Sequence, residues 1–232
     1  LTTAIKIFSN RYPKKFLHQL VSSQLDMDRM DYLLRDSFFT GVQEGIISSG
    51  RIIKMLNVVN DQLAIEEKGI YSVENFIIAR RLMFWQVYLH KTVLSAENLM
   101  TKIFDRAKEL TLLGEQLFAT PALKVFLTNN FGSGDFKRSP MLLDTFAALD
   151  DYDIMASVKV WTMHKDRILS ELCSFLVARR LYGIMLQNKP FSGRFINEMR
   201  KRASKKLMIK GEAMNYFVFT DTIENKAYNP KH

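Results

Sequence analysis

The sequence predicts a mainly α-helical protein that ends in a small α/β appendage. Apolar residues recur at three- and four-residue spacing in several segments, most extensively between residues 72 and 113. Some predicted helices follow residues of a type that caps helices, such as Asp150 and Asp166. Signals for strands are few, and the clearest is a single hairpin at Asn60-Asp61.

The first half of the chain should contain several helices and this hairpin. Pro13 can open a helix, because its fixed φ suits the first helical position. In chain order we predict helices from Pro13 to Val21, from Gln24 to Ser37, from Arg51 to Leu56 and from Ser72 to about Leu113. Gly41 and Gly45 mark a loop between the second and third of these helices, and Gly69 closes the hairpin.

The second half should contain more helices and the appendage. We predict a flexible junction at FGSGD (131–135), a helix from Asp150 or Asp151 to near His164, and another from Asp166 to near Arg179. The stretch YGIMLQ, residues 192–207 and the stretch NYFVFT are typical of a strand, a helix and a strand. We therefore predict three segments: a helical domain over 1–117, a helical region over 118–180 and a small basic β-α-β appendage over 181–232.

The composition is that of a globular protein of the cytoplasm. Of the 232 residues, 47% are hydrophobic and 25% are charged. Cys173 is the only cysteine, so no disulfide can form within the chain, and a reducing compartment fits best. No apolar run reaches the roughly 18 residues of a membrane span, and no signal-peptide pattern is present. The chain starts at Leu1 directly on a helix-like pattern, so we expect further residues upstream.

Positive charge is concentrated near the C-terminus. The formal net charge is +9, and residues 179–210 contain ten Lys or Arg and one acid, Glu198. Two interpretations are open, a solvated helix face or a surface that contacts polyanions such as nucleotide phosphates or single-stranded nucleic acid. Nucleic-acid binding would be weak, because few aromatic residues that could stack on bases lie among these charges.

The segment from Gln24 to Ser37 has one apolar and one chemically active face. As a helix it places Asp28, Tyr32 and Asp36 on one side, with Arg29 and Arg35 flanking them. Its other side is apolar, with Met27, Met30, Leu33 and Leu34. The polar side fits two interpretations. Asp26 or Asp28 can simply cap the helix while Asp31 pairs with Arg35, or the carboxylates and arginines can hold a metal ion and a phosphate.

Two motifs resemble HD-domain phosphohydrolases, most closely the deoxynucleoside triphosphate (dNTP) triphosphohydrolases. DMDRMDYLLRDSFFTGV (26–42) resembles the family segment that carries the last metal-binding aspartate, of the form Asp-x-Asp-(Arg/Lys)-x-Asp-Tyr-x-x-Arg-Asp, followed five residues later by glycine. ARRLMFWQVYLHKTV (79–93) resembles the arginine-rich segment that ends in Tyr-x-His-Lys. The resemblance covers about residues 1–115, so residues 1–117 would be the C-terminal part of an HD-type catalytic domain.

The resemblance implies roles for individual residues. Asp28 would be the catalytic residue that serves as the fourth protein ligand of a divalent metal ion, which could be Mg, Mn, Fe, Ni or Zn. The implied substrate-binding residues are Arg29, Tyr32 and Arg80 for the phosphates, Asp36 for a sugar hydroxyl and Tyr88 for the deoxyribose. Arg51 and Lys91 match regulatory nucleotide positions of some members. Because those sites form between subunits in the family, a homo-oligomer is implied.

The helical period agrees with part of this assignment. Arg80, Phe84 and Tyr88 follow one another at four-residue steps, so a regular helix would place them on one face. The alternative for that face is core packing with the charged end of Arg80 reaching solvent.

Departures from the family pattern affect catalysis and specificity. None of the four histidines is followed by Asp, so three of the four expected metal ligands are absent. Phe84 and Leu89 stand where some members carry a catalytic-site His and a base-contacting Gln. The predicted function is therefore part of a metal-dependent HD-type phosphohydrolase acting on nucleotides, with dNTPs as substrates. The alternative is a non-catalytic module that binds nucleotide or nucleic acid.

Overall fold

The computed structural model describes residues 1–224, and most of them are helical, which confirms the mainly α prediction. The α-helices are α1 Thr2–Phe8, α2 Lys15–Val21, α3 Met27–Thr40, α4 Ser49–Met55, α5 Ile70–Met83, α6 Lys91–Leu112, α7 Pro121–Thr128, α8 Ser133–Arg138, α9 Pro140–Ala147, α10 Asp151–Trp161, α11 Arg167–Val177 and α12 Gly193–Leu207. The strands are β1 Leu56–Val59 and β2 Gln62–Ile65. Short 3₁₀ helices span Gln43–Gly45, Glu67–Gly69 and Gly211–Tyr216, and a π-turn spans Phe84–Tyr88.

The chain divides into two compact units, Leu1–Val93 and Leu94–Thr222. This division into two units does not test the three predicted segments, whose boundaries are at residues 117 and 180, so those segments stay predictions. No helix within residues 1–224 is both long enough and apolar enough to cross a membrane.

Helix α3 is fixed by its cap and by its apolar side. The Asp26 carboxylate accepts hydrogen bonds from the backbone N–H of Arg29 at 2.8 Å and of Ser23 at 3.1 Å. Gly41 ends the helix in the left-handed conformation, with φ of 73°. Met30 and Leu33 are buried in the core of the first unit, which confirms the predicted apolar face.

Other elements of the first unit pack closely around this helix. The same core contains Ile47, Ile52, Phe76, Ala79 and Met83. A Cβ atom at Gly45 would lie 2.7 Å from Cβ of Ser37 and 2.8 Å from Sδ of Met83, so a larger residue would force this 3₁₀ segment away from α3 and α5. Glycine at this position lets the two helices that carry the candidate site share one core.

The predicted hairpin is confirmed. Strands β1 and β2 pair antiparallel with Leu56 opposite Ile65 and Val59 opposite Gln62. The turn residues Asn60 and Asp61 have φ of 50° and 60°, which Asn and Asp tolerate better than most residues. The Asp61 carboxylate also accepts a 2.8 Å hydrogen bond from the backbone N–H of Lys15, the first residue of α2.

The predicted continuous helix from Ser72 to Leu113 is wrong, because the chain breaks it near its middle. Helix α5 ends at Met83, and in the π-turn the N–H of Leu89 donates to the carbonyl of Phe84, five residues earlier, at 2.7 Å. Helix α6 then starts at Lys91, where His90 Nδ1 accepts from the N–H of Thr92 at 3.2 Å. Apolar spacing continues through the break, so the sequence pattern did not reveal it.

The second unit is built around α6, α10 and α11. Its core contains Leu99, Ile103, Trp161, Leu169 and Leu172. The predicted caps are confirmed, since the Asp150 carboxylate accepts from the N–H of Asp153 at 3.2 Å and that of Asp166 accepts from Leu169 at 2.8 Å. Asp166 also forms a two-point ion pair with Arg106, at 2.6 and 3.1 Å, which ties α11 to α6.

Two predictions for the second unit are wrong at the level of single elements. The FGSGD stretch is not only a junction, because Ser133 begins α8 and the Asp135 carboxylate accepts from the N–H of Gly132 at 2.8 Å. The predicted strands YGIMLQ and NYFVFT do not form among the described residues, although the helix between them does, as α12. Side chains bind this backbone instead of a neighbouring strand: Ser95 Oγ donates to the carbonyl of Tyr182 at 3.0 Å, and Tyr182 Oη to that of Tyr216 at 2.8 Å.

Candidate functional site

The candidate site lies in the first unit, where the polar side of α3 meets the end of α5 and the π-turn. Tyr88 Oη donates a 2.7 Å hydrogen bond to Oδ2 of Asp36, so two predicted site residues from separate elements are in direct contact. Burial raises the pKa of the Tyr88 phenol, and the hydrogen bond to the Asp36 carboxylate raises it further. Tyr88 is therefore a neutral donor that fixes the orientation of Asp36.

Three aromatic rings form one wall of the site. The ring centroids of Tyr32 and Tyr88 lie 6.0 Å apart, and those of Phe84 and Tyr88 lie 5.3 Å apart, both in edge-to-face geometry. All three side chains are half-buried. The wall thus offers an apolar surface beside the Asp36 carboxylate, which suits a sugar that presents both a hydroxyl and a hydrocarbon face.

Arg80 is a buried cation on the inner side of α5. Only 7% of the residue is exposed. Its Nη1 lies 3.3 Å from the side-chain oxygen of Gln24, and its guanidinium carbon lies 5.8 Å from the centre of the Phe84 ring. Its Nε has no hydrogen-bond partner among the described residues. Within residues 1–224 no carboxylate pairs with it. A buried cation without a counter-ion is costly, so this position favours an anionic ligand.

Arg29 is held at the start of α3. Its guanidinium pairs with the carboxylate of Asp26, which is 1% exposed. Its buried Nε, like that of Arg80, lacks a hydrogen-bond partner within residues 1–224. Asp26 therefore does more than cap the helix, because it also positions a predicted phosphate-binding residue. The motif contained Asp26, but the sequence alone did not distinguish this double role from a simple cap.

Asp28 is exposed in the first turn of α3 and makes no ion pair or side-chain hydrogen bond in the part of the chain that the structure describes. The described residues contain no cluster of three or more His, Cys, Asp or Glu that could hold a metal ion. His18 instead contacts the carbonyl of Ile7 through Nδ1 at 3.1 Å. These residues do not form a complete metal centre, and the metal role of Asp28 stays a prediction.

The remaining predicted residues lie on the surface. Asp31 and Arg35 form the expected ion pair at 2.6 Å, and both side chains are more than half exposed. Arg51 on α4 is exposed and donates from Nη2 to the carbonyl of Lys68 at 3.1 Å. Lys91 is exposed at the first position of α6. Within residues 1–224 no hydrogen bond or ion pair joins Arg51 or Lys91 to Asp36 or Tyr88, and their regulatory role stays a prediction.

The chain is similar to several known proteins. Residues 47–121 match the family model described as the HD associated region. The fold matches the crystal structure of a phosphohydrolase from Bacteroides thetaiotaomicron with a TM-score of 0.94 and 50% sequence identity, over 99% of this chain and 57% of that chain.

Among curated proteins, the chain is 36% identical over 177 residues to an uncharacterized protein of Bacillus subtilis, covering 76% of this chain and 39% of that protein. It is 27% identical over 107 residues to a deoxynucleoside triphosphate triphosphohydrolase homologue of Dictyostelium discoideum, covering 45% of this chain and 21% of that protein. The chain spans about two fifths of the length of the first curated relatives it matches. Together these matches support a relationship with the HD-domain phosphohydrolase family.

Proposed function

We propose that this chain carries the substrate-binding part of an HD-type phosphohydrolase that hydrolyses nucleotides, with dNTPs as its substrates. The proposal rests on one observation: Arg80 is buried and lacks a carboxylate partner among the described residues. A guanidinium in this state binds a phosphate group well, because the anion supplies the missing counter-charge and accepts several hydrogen bonds.

Arg29 would bind a second part of the phosphate chain. It lies on α3, and its buried Nε also lacks a hydrogen-bond partner in the described part of the chain. Asp26 holds its guanidinium in place, so little conformational freedom remains to be lost when a ligand binds. The two arginines would offset the negative charge that a triphosphate brings into the site.

The sugar would lie against the aromatic wall. The Asp36 carboxylate, which already accepts a hydrogen bond from the Tyr88 hydroxyl, would accept a second one from a sugar hydroxyl. The edge-to-face pairs of Tyr88 with Tyr32 and Phe84 hold the Tyr88 ring against rotation. A deoxyribose lacks the 2′-hydroxyl, so beside this ring it would leave less polar surface unpaired than a ribose would.

Asp28 is the single metal ligand that this chain would contribute in the whole protein. A divalent ion bound there would activate water and polarise a phosphoryl oxygen. The described residues do not complete such a site, so the hydrolytic step is proposed for the whole protein.

The test is titration of the full-length protein with a non-hydrolysable dNTP, comparing wild type, Arg80→Met and the control Arg35→Met. We expect Arg80→Met to bind about 10- to 100-fold more weakly, since a hydrogen bond to a charged group contributes about 1.5–3 kcal/mol. Arg35 is exposed and paired with Asp31, so its variant should bind within about twofold of wild type. Unchanged binding by Arg80→Met would overturn the proposal. If wild type binds the analogue but does not hydrolyse ordinary dNTPs in a separate activity assay, the non-catalytic module is favoured instead.

A further inference from the structure

The side chain of Gln24 contacts the guanidinium of Arg80 in the candidate site. Gln24 lies in the turn between α2 and α3, two residues before the Asp26 cap and 56 positions before Arg80 in the sequence. Arg80 Nη1 donates to Oε1 of Gln24 at 3.3 Å. Because arginine has donors and no acceptor, the amide must present its oxygen to it. Gln24 precedes the matched motif (26–42), so neither the motif nor the residue spacing indicated a role for it.

The turn that carries Gln24 is fixed on both sides of this residue. The backbone N–H of Ser23 donates to Oδ2 of Asp26 at 3.1 Å, and that of Leu25 donates to Oγ of Ser23 at 3.2 Å. Asp26 is buried, and Leu25 packs against the core of the first unit. The Gln24 amide is therefore attached to a backbone with little freedom, so little further ordering is needed when a ligand binds.

The Arg80 guanidinium contacts two neutral groups. One is the Gln24 amide, and the other is the Phe84 ring, whose centre lies 5.8 Å from the guanidinium carbon. No carboxylate within residues 1–224 forms an ion pair with Arg80. An amide oxygen accepts a hydrogen bond from the guanidinium but does not cancel its positive charge. A carboxylate at the same place would supply the counter-charge from within the protein.

From these contacts we infer that Gln24 is a positioning residue for phosphate binding. It holds the Arg80 guanidinium by a hydrogen bond and, because it is uncharged, leaves the positive charge available to a phosphate group. The inference rests on the proposed role of Arg80 in binding the nucleotide. Glutamate has nearly the same shape as glutamine, but at position 24 it would compete with the phosphate for the guanidinium. The neutral amide keeps the site open to an anion at a cost in stability, since Arg80 stays buried without a counter-ion.

The substitution Gln24→Glu should change stability and nucleotide affinity in opposite directions. Its carboxylate pairs with Arg80, so the full-length protein without nucleotide should melt about 2–4 °C higher than wild type. The same pairing, together with repulsion of the phosphates, should weaken binding of a non-hydrolysable dNTP about tenfold or more. If Gln24 only shaped the turn, its replacement would lower both quantities, so the opposite signs identify the positioning role.

Two further variants separate the effects of the hydrogen bond and of the charge. Gln24→Met has a similar length but no amide, so Arg80 keeps its charge and loses its hydrogen bond. We expect it to bind the analogue about three- to tenfold more weakly, with no rise in melting temperature. In the double variant Arg80→Met/Gln24→Glu the rise should vanish, because the carboxylate has no guanidinium to pair with.

The matched control is Gln116→Glu, which makes the same chemical change at an exposed position of the second unit. Its melting temperature should lie within about 1 °C of wild type and its affinity for the analogue within about twofold, since exposed substitutions have small effects. The measurements are differential scanning calorimetry without nucleotide and titration with the non-hydrolysable dNTP, both on the full-length protein.

The outcomes distinguish this inference from the proposed function. If Gln24→Glu binds the analogue as tightly as wild type, the inference is overturned. It is also overturned if the melting temperature of Gln24→Glu does not rise, or rises equally when Arg80 is replaced. If wild type binds and Arg80→Met binds weakly while both Gln24 variants match wild type, only the positioning role fails. If wild type itself binds no analogue, the proposed function fails and the role of Gln24 in phosphate binding fails with it.

Discussion

Tyr88 and Asp36 are separated by 52 positions in the sequence, yet the Tyr88 hydroxyl donates a 2.7 Å hydrogen bond to the Asp36 carboxylate. This contact joins the π-turn after α5 to the polar side of α3. The contact depends on the end of α5 at Met83, because the π-turn that follows shifts Tyr88 from the position that an uninterrupted helix would give it. The same contact restrains the carboxylate that we propose binds a sugar hydroxyl.

Replacing Tyr88 with Phe should remove this hydrogen bond while keeping the ring contacts with Tyr32 and Phe84. We expect the free energy of unfolding to fall by about 1–2 kcal/mol, because Asp36 loses a charge-assisted bond. Denaturant titration measures this. Tyr71→Phe is the matched control, since Tyr71 is 80% exposed and its variant should lie within about 0.5 kcal/mol of wild type. Equal effects of the two substitutions would mean that the Tyr88 contact adds no stability.

The difference between wild type and Tyr88→Phe should depend on pH. The pKa of Tyr88 is raised in the folded protein, chiefly by burial, so the folded state favours the neutral phenol. This contribution is fully present below the unfolded pKa of about 10 and is lost as the pH rises above it. The stability of wild type relative to Tyr88→Phe should therefore decline above about pH 10 in urea titrations. A difference that grows in this range would contradict the assigned environment.

Asp28→Asn tests the predicted metal ligand. Asp28 is exposed and has no partner among the described residues, and the helix cap is Asp26. The substitution should therefore change stability little, while bound metal and dNTP turnover of the full-length protein should fall by orders of magnitude. Asp31→Asn is the control and should cost only ~0.3 kcal/mol through its pair with Arg35. If Asp28→Asn keeps both metal and turnover, the metal assignment is wrong.

Helix α12 carries the predicted basic surface. Arg194, Lys201 and Lys205 share its exposed side, while Ala203 and Leu207 pack against the core of the second unit. We propose that this surface binds single-stranded nucleic acid weakly and that the affinity falls steeply with added salt, because phosphate contacts release counterions. Fluorescence anisotropy with an oligonucleotide at several salt concentrations measures this, comparing wild type with Lys201→Gln/Lys205→Gln. Absent or salt-independent binding would leave α12 as a solvated face.

Local sequence patterns correctly predicted the elements whose causes are local. The Asn60-Asp61 turn forms because those two residues tolerate positive φ, and the segments after Asp26, Asp150 and Asp166 become helices because each carboxylate caps backbone N–H groups nearby. The period of 3.6 residues also predicted that Met30 and Leu33 lie on the apolar side of α3, opposite Asp28, and both are buried in the structure.

Only the tertiary structure decided the features that depend on distant residues. Arg80 is a buried cation without a carboxylate partner among the described residues, not a core residue whose charged end reaches solvent. This outcome depends on how other residues pack around α5, which the spacing of residues in the sequence does not encode. Likewise YGIMLQ and NYFVFT have strand-forming composition, but neither forms a strand among the described residues, and Ser95 and Tyr182 hydrogen-bond to backbone carbonyls in them. The sequence by itself determined which residues can serve as caps, turns and charged faces. The fold decided which of them meet, because contacts such as Tyr88 with Asp36 depend on where a helix is interrupted.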